Sequence, residues 1–256
     1  MKNTTEHILN RQNKLINLLK INDKMTPHQL SLLLDCSINT VRRDINELHE
    51  KEALVKKYGY VYFNPDYSPN FDSFGPTKIK EEIAKFSSSL IKNEDTVFIN
   101  SSSTALKSLN YLNHHSNTII TNNMHIFKLD LDTNKKIILT GGTLRPNKKS
   151  LTGLDAIKLL ETKFAQVCIV GCYGISLETG HVFSSVMTES KINETMVKHT
   201  TRTKILLADY RKFGKESEDH FANIKDFDYI ITDSYLPNIY INQLEKYNIQ
   251  LIQVTL

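Results

Sequence analysis

The 256-residue chain contains no tryptophan, six prolines, nine glycines and three cysteines. So little glycine and proline excludes collagen-like and low-complexity chains, and 40% hydrophobic with 23% charged residues leaves enough apolar material for packed cores. Cys36, Cys168 and Cys172 are odd in number and lack metal-ligand spacing. They read as buried free thiols, and no metal or cofactor is expected. Also missing is any run of about 18 apolar residues able to cross a bilayer. The opening "MKNTTEHILNRQNKLINLLK" has neither the apolar block nor the small-residue cleavage site of a signal peptide. A cytoplasmic protein with no membrane partner is expected. A strong charge of one sign is lacking as well, since 32 Lys and Arg face 28 Asp and Glu. Nucleic-acid binding must therefore be argued from where the charges sit.

Residues 7–20 carry an apolar stripe of Ile8, Leu15, Ile16, Leu18 and Leu19 and predict a helix. In "TPHQLSLLLD", Thr26 can cap a second helix, Pro27 suits its first position, and Gln29 completes a capping box; Leu30, Leu33 and Leu34 are expected to face inward. Ser37 can cap a third helix through the amides of Asn39 or Thr40, with Val41, Ile45 and Leu48 inward. "ALVKKYGYVYFN" alternates like a hairpin turning at Gly59. "NPDYSPNFDSFGPT" collects three prolines with Asn, Asp and Ser and reads as a linker. The expected organisation is therefore a small N-terminal domain over 1–63, a linker over 64–77 and a larger domain over 78–256.

In the larger part the pattern changes. The apolar runs "DTVFIN", "NTIIT", "KKIILT", "AQVCIVG", "TKILLAD", "DYIIT" and "IQLIQV" are mostly separated by helix-like segments. Short buried strands alternating with helices predict an open, mostly parallel α/β domain.

The two short helices over 26–50 have helix-turn-helix spacing, in which the second helix lies in a DNA major groove. At about 100° per residue, setting Val41, Ile45 and Leu48 inward turns Asn39, Arg43 and Asn46 outward, flanked by Thr40, Arg42 and Glu47. Arginine can grip guanine and asparagine adenine, each with two hydrogen bonds. Lys56 and Lys57 suit phosphate contacts. Over 1–64 ten Lys and Arg stand against seven Asp and Glu, so the excess matters only if gathered on one face. The plainer reading is a solvated helix with Arg43 paired to Glu47 one turn on.

"TVRRDINELHEKEALVKKYGYV", preceded by "TPHQLSLLLDCSIN", resembles the winged helix-turn-helix of the DeoR family of bacterial transcriptional regulators. Ser37, Thr40, Val41, Arg42, Arg43, Asp44 and Leu48 match its S-x-x-T-[IV]-R-R-D-L-x-x-L core, with Ile45 for the usual leucine. The family's wing ends in His-Gly-Gly where this chain has Tyr58, Gly59 and Tyr60. The resemblance continues through the family's effector domain. Asn100, Ser101, Ser102, Ser103 and Thr104 stand at D-S-G-T-T, and Thr121, Asn122 and Asn123 at T-N-S. Gly141, Gly142, Thr143 and Arg145 fit G-G-T-x-R, and Lys212 lies in "LADYRKFG". Tyr173 replaces the acid of G-A-D-G-I ahead of Gly174, Glu189 is kept, and Asn193 stands where a lysine is usual.

The resemblance implies a regulator of carbohydrate metabolism, with an effector domain folded like ribose-5-phosphate isomerase. Operator DNA would be its partner, a phosphorylated sugar its effector, and a dimer or tetramer its assembled state. A loop of hydroxyls and amides opening a helix can hold a phosphate. Two alternatives stay open: an isomerase fused to a DNA-binding head, and a regulator whose second domain only oligomerises.

Overall fold

The computed structural model describes residues 5–22, 24–50, 53–64, 74–112, 116–131 and 133–255. The chain divides into two compact units, Met1–Thr77 and Lys78–Leu256.

The first unit contains α1 (Thr5–Ile21), β1 (Lys24–Met25), α2 (Pro27–Leu33), α3 (Ile38–Glu50), β2 (Leu54–Lys57) and β3 (Tyr60–Phe63). Its antiparallel sheet runs β1-β3-β2. The expected capping box starts α2: Gln29 N donates to Thr26 Oγ1 at 3.2 Å and Thr26 N to Gln29 Oε1 at 2.8 Å. The Thr40 amide donates to Ser37 Oγ at 3.2 Å and starts α3. Tyr58 (φ 51°) and Gly59 (φ 79°) form the two-residue turn, the left-handed pair that matches strand twist in tight hairpins. Leu15, Leu19, Leu30, Val41, Ile45, Leu48, Leu54 and Val61 make the core.

Leu33 departs from expectation, being 60% exposed. Its two-turn helix buries Leu30 and Ser31 and half-buries Leu34, so the inward direction is centred about 100° away from Leu33.

Of the residues expected as linker, 65–73 lie outside the described residues, and the next helix, α4 (Phe74–Ser88), takes up 74–77. The second unit continues with β4 (Thr96–Ile99), α5 (Ser103–Lys107), β5 (Thr118–Thr121), β6 (Lys136–Leu139), β7 (Thr143–Arg145) and β8 (Ser150–Thr152). After α6 (Leu154–Glu161) come β9 (Ala165–Gly171), β10 (Gly174–Ile175), β11 (His181–Phe183), α7 (Met187–Lys198) and β12 (Thr200–Leu207). Last are β13 (His220–Asn223), β14 (Tyr229–Asp233), α8 (Asn238–Glu245) and β15 (Gln250–Val254).

All seven apolar runs become strands of one parallel sheet, ordered β15-β14-β12-β9-β4-β5-β6. Alternation along the strands feeds two cores. Phe98, Cys168, Val170 and Leu206 face Leu160, Ile192 and Met196; Val97, Ile99, Val167 and Ile169 face Ile83, Ala105 and Leu109. Two small antiparallel sheets, β10-β11-β13 and β7-β8, had no counterpart in the sequence reading. All three cysteines are free, but only Cys168 is fully buried; Cys36 and Cys172 are half-buried because each lies in a connection rather than in a layer.

From β4 the chain winds outward to β5 and β6, then returns to β9 on the other side of β4 and winds the opposite way. The crevice beyond the carboxyl ends of β4 and β9 is therefore the topological switch point, where open α/β sheets bind ligands.

Candidate functional site

In the first unit α3 shows an outward polar face. Asn39, Arg42, Arg43 and Asn46 are exposed and Ser37 and Thr40 lie at its start, while Val41, Asp44, Ile45 and Leu48 are buried. What fixes the helix beneath that face is Asp44. Arg11 of α1 grips its carboxylate with Nε and with Nη2 at 3.0 Å, and Gln12 Nε2 donates at 2.7 Å to Glu47 Oε2. Sequence reasoning did not foresee this clamp, because 33 positions separate Arg11 from Asp44.

Arg43 Nε lies 3.6 Å from Glu47 Oε1, a solvent-exposed pair of the weak kind. It constrains Arg43 little. Lys56 Nζ of β2 donates to Asn46 Oδ1 at 3.1 Å, linking hairpin to helix and occupying the oxygen that an adenine contact would use. Lys57 is exposed, and Tyr58 at the hairpin tip is 96% exposed.

In the second unit a connected polar network closes the switch point. Asn100, just after β4, donates to Gly171 O at 2.9 Å and to Asn193 Oδ1 at 3.0 Å. Its own oxygen accepts from the Ser102 and Gly171 amides, each at 3.1 Å. Asn193 in turn donates to Ser184 Oγ at 2.9 Å. A side chain at Gly171 would collide with Ser102, so only glycine lets β9 approach the loop. Ser102 caps α5 through the Ala105 amide, leaving Ser101 and Thr104 half-exposed and Ser103 exposed.

The TNN stretch is buried. Thr121 donates to Ile99 O at 2.7 Å, Asn122 to Leu151 O at 3.0 Å, and Asn123 to the carbonyls of Asn100 and Ser102 at 3.4 Å. Asn123 is the residue that ties TNN to the loop. The Asn122 carbonyl oxygen is buried with no hydrogen-bond partner.

Arg145 and Glu189 meet each other: Nη1 lies 2.6 Å from Oε1, with Ser185 Oγ 2.9 Å from Oε2. Gly141, Gly142 and Thr143 sit on the exposed approach to the β7–β8 hairpin. Tyr173 is partly exposed beyond β9, where its amide donates to Phe183 O at 2.8 Å, and Gly174 is buried against the Lys215 carbonyl.

Lys212 belongs to the turn after β12. There Arg211 grips Asp209 with Nε at 2.8 Å and Nη2 at 2.9 Å. Burial raises the Asp209 carboxyl, but the Arg211 hydrogen bond and the charges of Arg211 and Lys212 together outweigh it, so its pKa lies below the usual carboxylate range. Burial pushes the Cys172 thiol up to about 12, against the opposing pull of Lys212, so it stays protonated.

Among the described residues no helix is long and apolar enough to cross a membrane, and no group of three His, Cys, Asp or Glu is placed to hold a metal.

Two family models match the chain: DeoR-like helix-turn-helix domain over residues 11–65 and DeoR C terminal sensor domain over 76–234. The chain is 32% identical to the HTH-type transcriptional regulator GolR of Listeria innocua, over 88% of this chain and 90% of that protein. It is 25% identical to the HTH-type transcriptional repressor GlcR of Bacillus subtilis, over 93% of each. With the Glycerol-3-phosphate regulon repressor of Escherichia coli it shares 29% identity, over 98% of this chain and 99% of that one.

Proposed function

Because the chain belongs to the DeoR family of transcriptional regulators, we propose that it represses a carbohydrate-metabolism operon and releases its operator when a phosphorylated sugar binds the sensor domain. It is a DNA-binding regulator and not an enzyme, as its relatives are regulators and repressors. The isomerase reading of the sequence is dropped.

The observation that carries the DNA-binding half is the exposed face of Asn39, Arg42, Arg43 and Asn46 on a helix fixed from behind by the Arg11–Asp44 clamp. A helix held this way presents its guanidinium and amide groups to a major groove in one orientation. Lys56, Lys57 and Tyr58 on the hairpin then meet the DNA backbone alongside.

The sensing half draws on two supports. The half-exposed hydroxyls of Ser101 and Thr104 lie at the switch point, where sheets of this kind take ligands. Two relatives are named as a glycerol-3-phosphate regulon repressor and a lactose phosphotransferase system repressor. Release requires the effector to prefer the state that does not bind DNA; tight binding to both states would shift nothing. A homo-oligomer, dimer or tetramer, working in the cytoplasm would read repeated half-sites about one helical turn or a multiple apart.

One observation favours a second reading, a sensor domain that only assembles copies. Asn100, Asn193 and Glu189 all spend their polar groups on bonds within the protein. Selecting DNA from a random pool, then measuring release from the selected site with a panel of phosphosugars and their unphosphorylated parents, decides between them. Release by a phosphosugar alone supports sensing; a complex indifferent to the whole panel leaves assembly.

A further inference from the structure

Asn46 stands exposed on the outward face of α3, one turn before the helix ends. From that end the chain passes directly into β2: the Ala53 amide donates to Leu48 O at 2.8 Å, and His49 Nδ1 lies 2.8 Å from Leu54 O. Side chains alternate along a strand, so Lys56 shares a sheet face with Leu54, which is buried in the same core as Leu48. Lys56 is thereby turned back toward the helix, and its Nζ donates to Asn46 Oδ1 at 3.1 Å. An ammonium can only donate, so the amide atom facing it is the oxygen; the reversed amide would set donor against donor. Among the described residues no protein group accepts from the Asn46 nitrogen, and its two N–H groups are left for a ligand.

We propose that Lys56 sets the base specificity of Asn46: with its oxygen held, Asn46 offers only donors to the major groove and selects guanine instead of adenine. This deepens the proposed DNA reading and rests on it. A free asparagine suits adenine, giving an N–H to N7 and taking one from the N6 amino group with its oxygen. The Asn46 oxygen has a second lone pair, but an amino group brought to it would lie beside the Lys56 ammonium, donor against donor. Guanine presents N7 and O6, both acceptors, and meets the amide N–H groups without that conflict. Lys56 is thus a positioning residue for Asn46, and its two remaining N–H donors still serve a phosphate.

In the free protein the bond is exposed and weak. Within a groove that excludes water, a donor facing a donor goes unsatisfied, which is enough to shift a base preference by about tenfold. Loss of a phosphate contact does not imitate this effect. It weakens binding about uniformly across sequences, whereas a change at Asn46 alters the preference at one base pair.

The test is selection by the full chain from a randomised duplex pool, then titration of the selected site and its single-base-pair variants at reduced salt, which keeps weaker variants measurable. Asn46→Ala locates the base pair that Asn46 reads, as the position whose preference flattens. There the wild type is expected to favour G·C over A·T by about tenfold. Lys56→Met keeps the aliphatic stem and frees the oxygen, so the preference at that pair is expected to fall to parity or to reverse toward A·T. Lys56→Arg, which can only donate, is expected to keep G·C. Both positions are exposed, so the variants are expected to fold. A wild-type preference for A·T at that pair, a Lys56→Met preference equal to the wild type, a Lys56→Arg chain that behaves like Lys56→Met, or no position flattened by Asn46→Ala overturns the proposal and leaves α3 as the groove helix. A wild-type chain that enriches no sequence overturns both.

Discussion

Asn100 and Asn193 share a buried amide-to-amide hydrogen bond of 3.0 Å that fastens α7 to the tips of β4 and β9. The family's pattern has an aspartate and a lysine at these two places. Both charges are replaced here, and the neutral groups still meet. Asn100→Asp should set a carboxylate against Gly171 O and Asn193 Oδ1, with a loss of roughly 2 kcal/mol. Adding Asn193→Lys should recover about 1 kcal/mol or more as a coupling term. Urea unfolding of the two single variants and the double variant measures this, and strictly additive losses would show that the pair does not act together.

The Arg11–Asp44 clamp and the exposed Arg43 should separate stability from reading. Asp44→Ala strands a half-buried guanidinium, and a loss of about 2 kcal/mol in the stability of the first unit is expected. Arg43→Ala should leave stability within about 0.5 kcal/mol and weaken specific operator binding by about 1–3 kcal/mol if it contacts a base. Unfolding curves paired with operator titrations check both, and unchanged operator affinity would remove Arg43 from the readout.

Tyr58 occupies a left-handed backbone position with its ring in solvent. Asparagine suits that conformation better, so Tyr58→Asn should stabilise the hairpin by about 0.5–1 kcal/mol. Operator affinity is expected to fall in the same variant. A gain in both would mean that the ring has no part in binding.

Asp95 links its own loop to β12 through Arg202, which donates from Nη1 at 2.8 Å and from Nη2 as well. Burial raises the Asp95 carboxyl, but the Arg202 hydrogen bonds and the Lys92 amide outweigh it, so the folded pKa lies below the unfolded value. Its contribution is therefore present above about pH 4 and is lost as the pH falls through the folded value. Asp95→Asn should lower stability by about 2 kcal/mol at pH 7, and the gap to wild type should close in acid. Chemical unfolding across pH 2–7 follows it; a gap that persists at the acid end refutes the linkage.

The order of elements was readable because it is written locally. Seven apolar runs of strand length became seven strands, since a strand buried on both faces must be apolar throughout. Thr26, Ser37 and Gly59 marked two helix starts and a turn through groups that act within three residues of themselves. Leu33 shows the limit: its spacing fits an inward stripe, but in a two-turn helix the neighbours decide which arc is covered.

The sequence by itself determined the two-part organisation expected here, the winged helix-turn-helix and the parallel sheet, because periodicity and capping are properties of neighbouring residues. Only the tertiary structure decided which polar side chains are spent and which are offered. It brings Asn100 to Asn193 across 93 positions, Arg11 to Asp44 across 33, and Lys80 to Ser103 across 23. A hydrogen bond depends on a few tenths of an ångström between groups that share no local pattern, and only folding sets that distance.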